Sequence, residues 1–342
     1  MHQGSASERV FHELVNSIHH LPEGAMPRGP TNPRQWLKLT VGVRRLQRLP
    51  ELLPGCRGSM PRAVLAKTYG ADPAAVERIR AFAVQHHLVV SKDDRLSARI
   101  CLSGTVEDLS DAFGVRLLDY THPELGEFHA RLDPVGLLPE LVGQVTGVFG
   151  FNNHRILRRT RSAPMPGAMR GTPCVGLLEF GRRVNERDLI GWFERNNQPA
   201  PPVKIVNLDW QGPASDSTGD VVRDVVWASA LTDSARVAVY FAGCDARGLV
   251  DGVARLVDDD DAPQVVSINW GCDESQPLDG HIVWSPATVE HVNDSFLALG
   301  HLGVTVCVSS DDDQAREGHA HVSFPATSPY VVALGGTARS AA

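Results

Sequence analysis

Val237-Ala238-Val239-Tyr240-Phe241 places five apolar residues in a row with no polar residue between them. A strand with that composition is buried on both faces, as happens in a parallel sheet covered by helices on each side. The surrounding sequence repeats the pattern. Short apolar runs at residues 174–178, 203–206, 264–269, 304–308 and 330–334 alternate with stretches of helical period. Residues 171–342 are therefore expected to be α/β, a parallel sheet flanked by helices.

Upstream the pattern changes. Leu37, Leu39, Val41 and Val43 alternate with Lys38, Thr40 and Arg44, the period of a half-buried strand. Asp72-Pro73 opens a helix, with Asp as the cap and Pro at the first helical position, and Val76, Ile79 and Ala83 recur at helical spacing toward Leu88. A strand over 95–102, a helix over 106–113 and strands near 115–120 and 127–132 complete a β-α-β-β-α-β-like succession. Residues 1–155 are expected to form one small α+β, ferredoxin-like domain. Residues 156–170 carry Arg, Ser, Pro, Met and Gly without periodicity, including Arg158-Arg159, and read as a linker with a processing site.

The composition excludes several classes. A formal net charge of −7 over 342 residues offers no basic face for a nucleic acid. No apolar run reaches the roughly 18 residues of a membrane span, and the first thirty residues lack the apolar stretch of a signal peptide. The six cysteines stand singly, without a C-x-x-C pair, so their spacing signals neither a zinc site nor a disulfide framework. The acidic run 258–261 matches no calcium-loop spacing and reads as a solvated loop.

Three segments carry candidate chemistry. Asp220 and Asp224 lie four apart in an apolar helical stretch, so both carboxylates project from one face. A buried pair of this kind shares a proton and suits a general base with a supporting acid. The same spacing also fits Asp220 favouring a helix N-terminus while Asp224 pairs with a nearby arginine. Asp312 lies in an acidic turn after the apolar strand ending near Cys307-Val308, the end of a strand where open α/β sheets place ligands. Asn269, Trp270 and Gly271 follow another buried strand, where a free edge beside a glycine can pair with an extended peptide.

Taken together the segments resemble the sedolisin family, the kumamolisin-like serine-carboxyl peptidases. The resemblance runs through C-V-G-L-L-E-F-G from Cys174, G-D-V-V-R-D-V from Gly219, A-V-Y-F-A from Ala238, V-V-S-I-N-W-G from Val265, G-V-T-V-C-V-S-S from Gly303 and F-P-A-T-S-P-Y-V-V-A-L-G-G-T from Phe324. L-K-L-T-V-G-V-R from Leu37 and R-L-S-A-R-I-C-L-S-G-T-V-E-D-L-S-D-A-F-G-V from Arg95 resemble the family's activation propeptide.

The resemblance implies a subtilisin-like sheet, incomplete here, preceded by a propeptide that packs on its own peptidase domain. It implies Asp220 as the base, Asp224 as its supporting acid, Asp312 in the oxyanion hole, Asn269, Trp270 and Gly271 along the substrate strand, and Glu179 in an outer proton network. The partner is a polypeptide substrate or a sibling protease, and the location extracellular.

Three departures set further expectations. Asp220 stands where the family has Glu, and a displacement of order 1 Å costs roughly a hundredfold in rate. The turn Asp311-Asp312-Asp313-Gln314 replaces Gly-Asp-Ser-Gly. The family's Ser-Gly-Thr-Ser nucleophile segment and its calcium ligands lie downstream of Ala342, so no nucleophile, metal or cofactor is expected in this chain. The expectation is a precursor that does not hydrolyse peptides by itself. The alternatives are a pseudopeptidase that binds polypeptides and half of a split enzyme completed by another chain.

Overall fold

The computed structural model describes residues 10–53, 56–160, 174–184, 186–209, 218–230, 236–274, 283–310 and 323–335. The chain divides into two units. One comprises residues 1–46 and 70–154 with a short piece at 285–287; the other comprises 47–69, 155–284 and 288–342.

In the first unit the elements are β1 (Met26–Pro30), β2 (Trp36–Val43), α1 (Pro73–Gln85), β3 (Val89–Asp94), β4 (Arg99–Thr105), α2 (Val106–Phe113), β5 (Leu117–His122), β6 (Gly126–Arg131) and β7 (Val145–Phe149). One antiparallel sheet has the order β3-β4-β2-β7 and a smaller one the order β1-β5-β6. Because β2 lies inside its sheet, the expected half-buried strand is buried more fully, and Thr40 is enclosed as completely as Leu39 and Val41.

Asp72 caps α1 by accepting from the Ala74 N–H at 2.9 Å. The helix then buries Val76, Ile79 and Phe82 in a core shared with Leu109 and Phe113 of α2. Thr105 opens α2 and Gly114, at φ 58°, ends it in the left-handed region that glycine adopts without penalty. The strand expected at 95–102 is instead a hairpin, in which β3 precedes a turn at residues 95–98 and β4 runs from Arg99. The sequence hid β3 because Ser91-Lys92-Asp93-Asp94 on a sheet edge needs no apolar alternation.

In the second unit the elements are β8 (Arg158–Arg159), β9 (Cys174–Phe180), α3 (Glu186–Arg195), β10 (Val203–Asn207), α4 (Thr218–Ala230), β11 (Arg236–Ala242), α5 (Ala246–Asp258), β12 (Val265–Ile268), β13 (Trp270–Asp273), α6 (Pro286–His301), β14 (Thr305–Ser309), β15 (Ser323–Phe324) and β16 (Val332–Leu334). A six-stranded sheet has the order β10-β11-β9-β12-β14-β16, and every neighbouring pair is parallel. The α/β expectation holds. Val175, Leu177, Val237 and Val239 pack on one face against Leu189 and Phe193 of α3 and Val221, Val222 and Val225 of α4. On the other face Gly252 of α5 lies so close to Leu178 that a Cβ there would stand 2.9 Å from its methyl group.

In the acidic run 258–261, Asp260 and Asp261 are exposed as a solvated loop requires, and only Asp259 departs from that reading. Asp259 is buried, accepting from Tyr240 Oη at 2.9 Å and Lys204 Nζ at 3.1 Å, because the turn after α5 folds back beneath β10 and β11. All six cysteines are free. Among the described residues no helix is long and apolar enough to cross a membrane.

The strand order also fixes where a site can form. After β9 the chain moves to β10 and β11 on one side, whereas after β12 it moves to β14 and β16 on the other. Connections that leave neighbouring strands in opposite directions open a crevice at their carboxyl ends, the place where open α/β sheets bind ligands.

Candidate active site

The crevice collects acids by simple periodicity. Val175, Leu177 and Glu179 alternate onto the face of β9 that meets α4, so the third of them brings a carboxyl group to the strand's carboxyl end. Asp224 arrives from α4, one turn after Asp220 and beside the buried Val225. Asn269 and Trp270 arrive from the end of β12 and the start of β13.

Glu179 is 2% exposed and accepts a hydrogen bond from Trp270 Nε1 at 3.0 Å. Burial, then the neighbouring Asp224 carboxylate, push its pKa up to about 8, against the pull of Arg159. The raised value favours the protonated form, whose O–H donates to the Asp224 carboxylate. The Asp224 side chain, 4% exposed, accepts from Asn269 Nδ2 at 3.1 Å and pairs with the Arg159 guanidinium.

Asp220 is different. Its side chain is 35% exposed, so of the two helix carboxylates only Asp224 has the buried position expected of both. Three guanidiniums converge on Asp220, with Arg182 at 2.8 Å, Arg223 at 2.9 Å and Arg159 at 3.0 Å. Burial alone would raise its pKa, but the hydrogen bond from Arg182 and the charges of Arg159, Arg182 and Arg223 outweigh it and hold the carboxyl below the usual aspartate range. Arg182 is itself fixed by lying 5.0 Å above the Trp270 ring.

The candidate substrate strand is already paired. Arg158 and Arg159 of β8 run antiparallel to Gly271 and Trp270 of β13, and the Thr160 N–H donates to the Asn269 carbonyl at 3.0 Å. This is how an extended peptide adds to a free strand edge. On its other side β13 pairs with β15, and a Cβ on Gly271 would lie 3.1 Å from Phe324 O, so glycine permits that approach. The N–H groups of Ile156 and Leu157 both donate to the Cys244 carbonyl at 3.0 Å, anchoring the segment ahead of β8.

The structure thus brings together Glu179, Asp220, Asp224, Asn269, Trp270 and Gly271. Asp312 lies outside the described residues, as do residues 161–170 of the expected linker. Sequence reasoning singled out neither Arg159 nor Arg182 as a site residue. The available signal was the Arg158-Arg159 pair together with the reading in which Asp224 meets an arginine. Among the described residues no group of three His, Cys, Asp or Glu side chains is arranged to hold a metal ion.

No family model matches the chain. Kumamolisin from Bacillus sp. (strain MN-32) is 29% identical over 364 aligned positions, which take in 92% of this chain and 64% of kumamolisin. The chain therefore spans less than two-thirds of that relative's length. Among solved structures, Pseudomonas sedolisin, a serine-carboxyl proteinase complexed with two molecules of pseudo-iodotyrostatin, matches with a TM-score of 0.37 and 19% identity over 48% of each chain. The epidermin leader peptide processing serine protease of Staphylococcus aureus matches with a TM-score of 0.44 and 11% identity over 87% of this chain and 69% of its own.

Proposed function

From its likeness to kumamolisin we propose that the chain is a member of the sedolisin family and the precursor portion of an acid-acting serine-carboxyl endopeptidase. Residues 1–155 act as the propeptide, 156–170 as the processed connector and 171–342 as the first part of the peptidase domain. Polypeptides are the substrate class, and the location is extracellular. One observation carries the reading: three carboxyl groups meet at the switch point of a parallel sheet, beside a strand edge held by the chain's own extended segment.

On this reading a serine attacks the scissile carbonyl while Asp220 takes its proton. Asp224 and Glu179 hold a further proton behind it, and Asp312 donates to the developing oxyanion. The serine comes from polypeptide outside these 342 residues. Trp270 and Gly271 align the substrate as they align Arg158 and Arg159, so the connector blocks the cleft by occupying the substrate's place. Asp220 stays ionised into acid, and its bonds to Arg159 persist until the pH falls below the ordinary aspartate range.

A second reading, a cleft that binds polypeptides without cutting them, is favoured by Arg182 and Arg223. Neither belongs to the connector, and both tie up the oxygens that a base would use. A peptide library incubated with residues 1–342 between about pH 3 and 5 tests the proposal. The expected outcome is no hydrolysis and no cleavage of the connector by mass spectrometry. Turnover that Asp220→Ala abolishes would overturn the claim that the serine lies elsewhere. Retention of unlabelled library peptides without cleavage would favour the binding reading.

A further inference from the structure

A second set of titratable groups lies in the first unit. After β7 the chain turns back along β6, and Asn152 and Asn153 fasten it there. Asn152 Oδ1 accepts from the Arg131 N–H at 3.1 Å, Asn153 Oδ1 accepts from the His129 N–H at 2.8 Å, and the Asn153 N–H donates to the His129 carbonyl at 3.2 Å. This docking presses the His154 ring against Phe128 at 5.4 Å and sets it edge-on to His19 at 5.8 Å.

The packing is bad for charge. His129 and His154 are each 6% exposed, and His19 is half-buried with its Nδ1 enclosed. Nδ1 of His19, Nδ1 of His154 and Nε2 of His129 have no hydrogen-bond partner among the described residues. Arg131, 3% exposed, already places a cation near His19, held by the carbonyls of Ser17 at 2.7 Å and of Asp133. The surrounding charged and titratable groups are His20 beside His19, His122 toward His154, Asp119 toward His129 and Asp133 toward Arg131. Asp119 is also engaged, accepting from Thr31 Oγ1 at 2.8 Å.

We propose that His19, His129 and His154, which flank the junction of residues 150–154 with β6, form an acid-sensitive latch whose neutral imidazoles hold that segment in place and whose protonation frees it. A proton on any of the three creates an enclosed cation with few anions to pair it, and for His19 it also meets the charge of Arg131. The electrostatics agree in direction. Burial, then His122, push His154 down to about 4; burial, then His154 and Arg131, lower His19; and burial lowers His129 against the pull of Asp119. A base whose folded pKa is depressed contributes stability above its ordinary value near 6.5, and that contribution is lost as the pH falls toward the folded value.

The segment so released, 150–154, immediately precedes the residues that fill the candidate cleft, so the latch ties the connector's entry to proton concentration. That consequence rests on the peptidase reading; the latch does not.

Amide hydrogen exchange on the full chain, corrected for intrinsic rates, tests it between about pH 7 and about pH 4. Residues 126–131 and 150–154 are expected to lose at least about tenfold in protection, while β2 keeps its own. H19Q/H154Q, which leaves His129 as the remaining titrating member, is expected to lose clearly less protection in acid than the unaltered chain. Uniform protection across that range, or an unchanged acid loss in H19Q/H154Q, would overturn the latch. Imidazole proton titration of the unaltered chain is an independent check. Midpoints below about 5 for His154 support the proposal, and a midpoint near the ordinary histidine value overturns it even if the variant fails to fold.

Discussion

The two units bury different sets of titratable groups: among the described residues the first buries no carboxylate, whereas the second buries Glu179, Asp224 and Asp259 beside Arg182 and His301. The first encloses the bases His129 and His154, which are uncharged only while the solvent is poor in protons. The second encloses acids, Glu179 and Asp224, of which Glu179 is uncharged only while it keeps its proton. Acid therefore loads the first unit with buried charge and leaves Glu179 of the second neutral. The difference teaches that one solvent variable can drive two parts of a chain apart in stability, without any contact between them being invoked. For Glu179 the sign runs against rising pH. Its folded pKa lies above the unfolded value of 4.5, so the native state holds an extra proton up to about pH 8 and loses that advantage as pH climbs through the window.

The largest expected effect comes from removing the cation that pairs with the second unit's buried acids. Arg159→Met keeps the apolar stem and leaves Asp224, with its side chain 4% exposed, without its guanidinium. Breaking one side of a buried pair costs about 3–5 kcal/mol. Urea unfolding of the second unit at neutral pH should show a loss of that size. A loss under about 1 kcal/mol would place Arg159 among surface-like pairs and remove the contrast between the units.

A smaller change should act only on the slope. Glu179→Gln retains an oxygen for Trp270 Nε1 and cannot ionise. One extra proton bound in the native state corresponds to a slope of up to about 1.4 kcal/mol per pH unit. The unaltered chain is expected to lose stability in its second unit between pH 4.5 and about 8, and the variant to be nearly flat there. If both curves fall together, some other group bears the second unit's sensitivity to base.

Much of this was legible in the chain because local and global requirements agree. Val237 to Phe241 could only be a strand covered on both sides, and α2 begins and ends where Thr105 and Gly114 put it. The carboxylates of Asp220 and Asp224 were found from helical spacing alone, and Glu179 only from the family resemblance. What stayed hidden depends on tertiary placement. Arg159 sits in an aperiodic stretch, and nothing local says that it will pair with an edge 111 positions away, opposite Trp270. Asp220 looked as buried as Asp224 because hydrophobic neighbours do not reveal which turn of a helix reaches the surface. The strand β3 escaped because an edge tolerates Lys and Asp. The buried imidazoles gave no warning, since a histidine's burial is decided by what folds over it.

The smallest predicted effect separates two sources of acid sensitivity in the first unit. Asp72 caps α1 and also pairs with Arg44, and the Ala74 N–H and then Arg44 hold its carboxyl below the usual range. Its contribution is present above an unfolded value of 3.8 and disappears as pH falls through the lower folded value. The histidines lose theirs higher, beginning near pH 6.5. Asp72→Ala should therefore cost about 1 kcal/mol at neutral pH, the usual worth of a helix cap. It should leave the shape of the stability curve between pH 6.5 and 4 unchanged, because that limb belongs to His129, His154 and His19. Thermal unfolding of the first unit as a function of pH checks this. Parallel curves for the variant and the unaltered chain assign the limb to the imidazoles, whereas a flattened limb in the variant would move the acid response from the buried bases to a surface carboxylate.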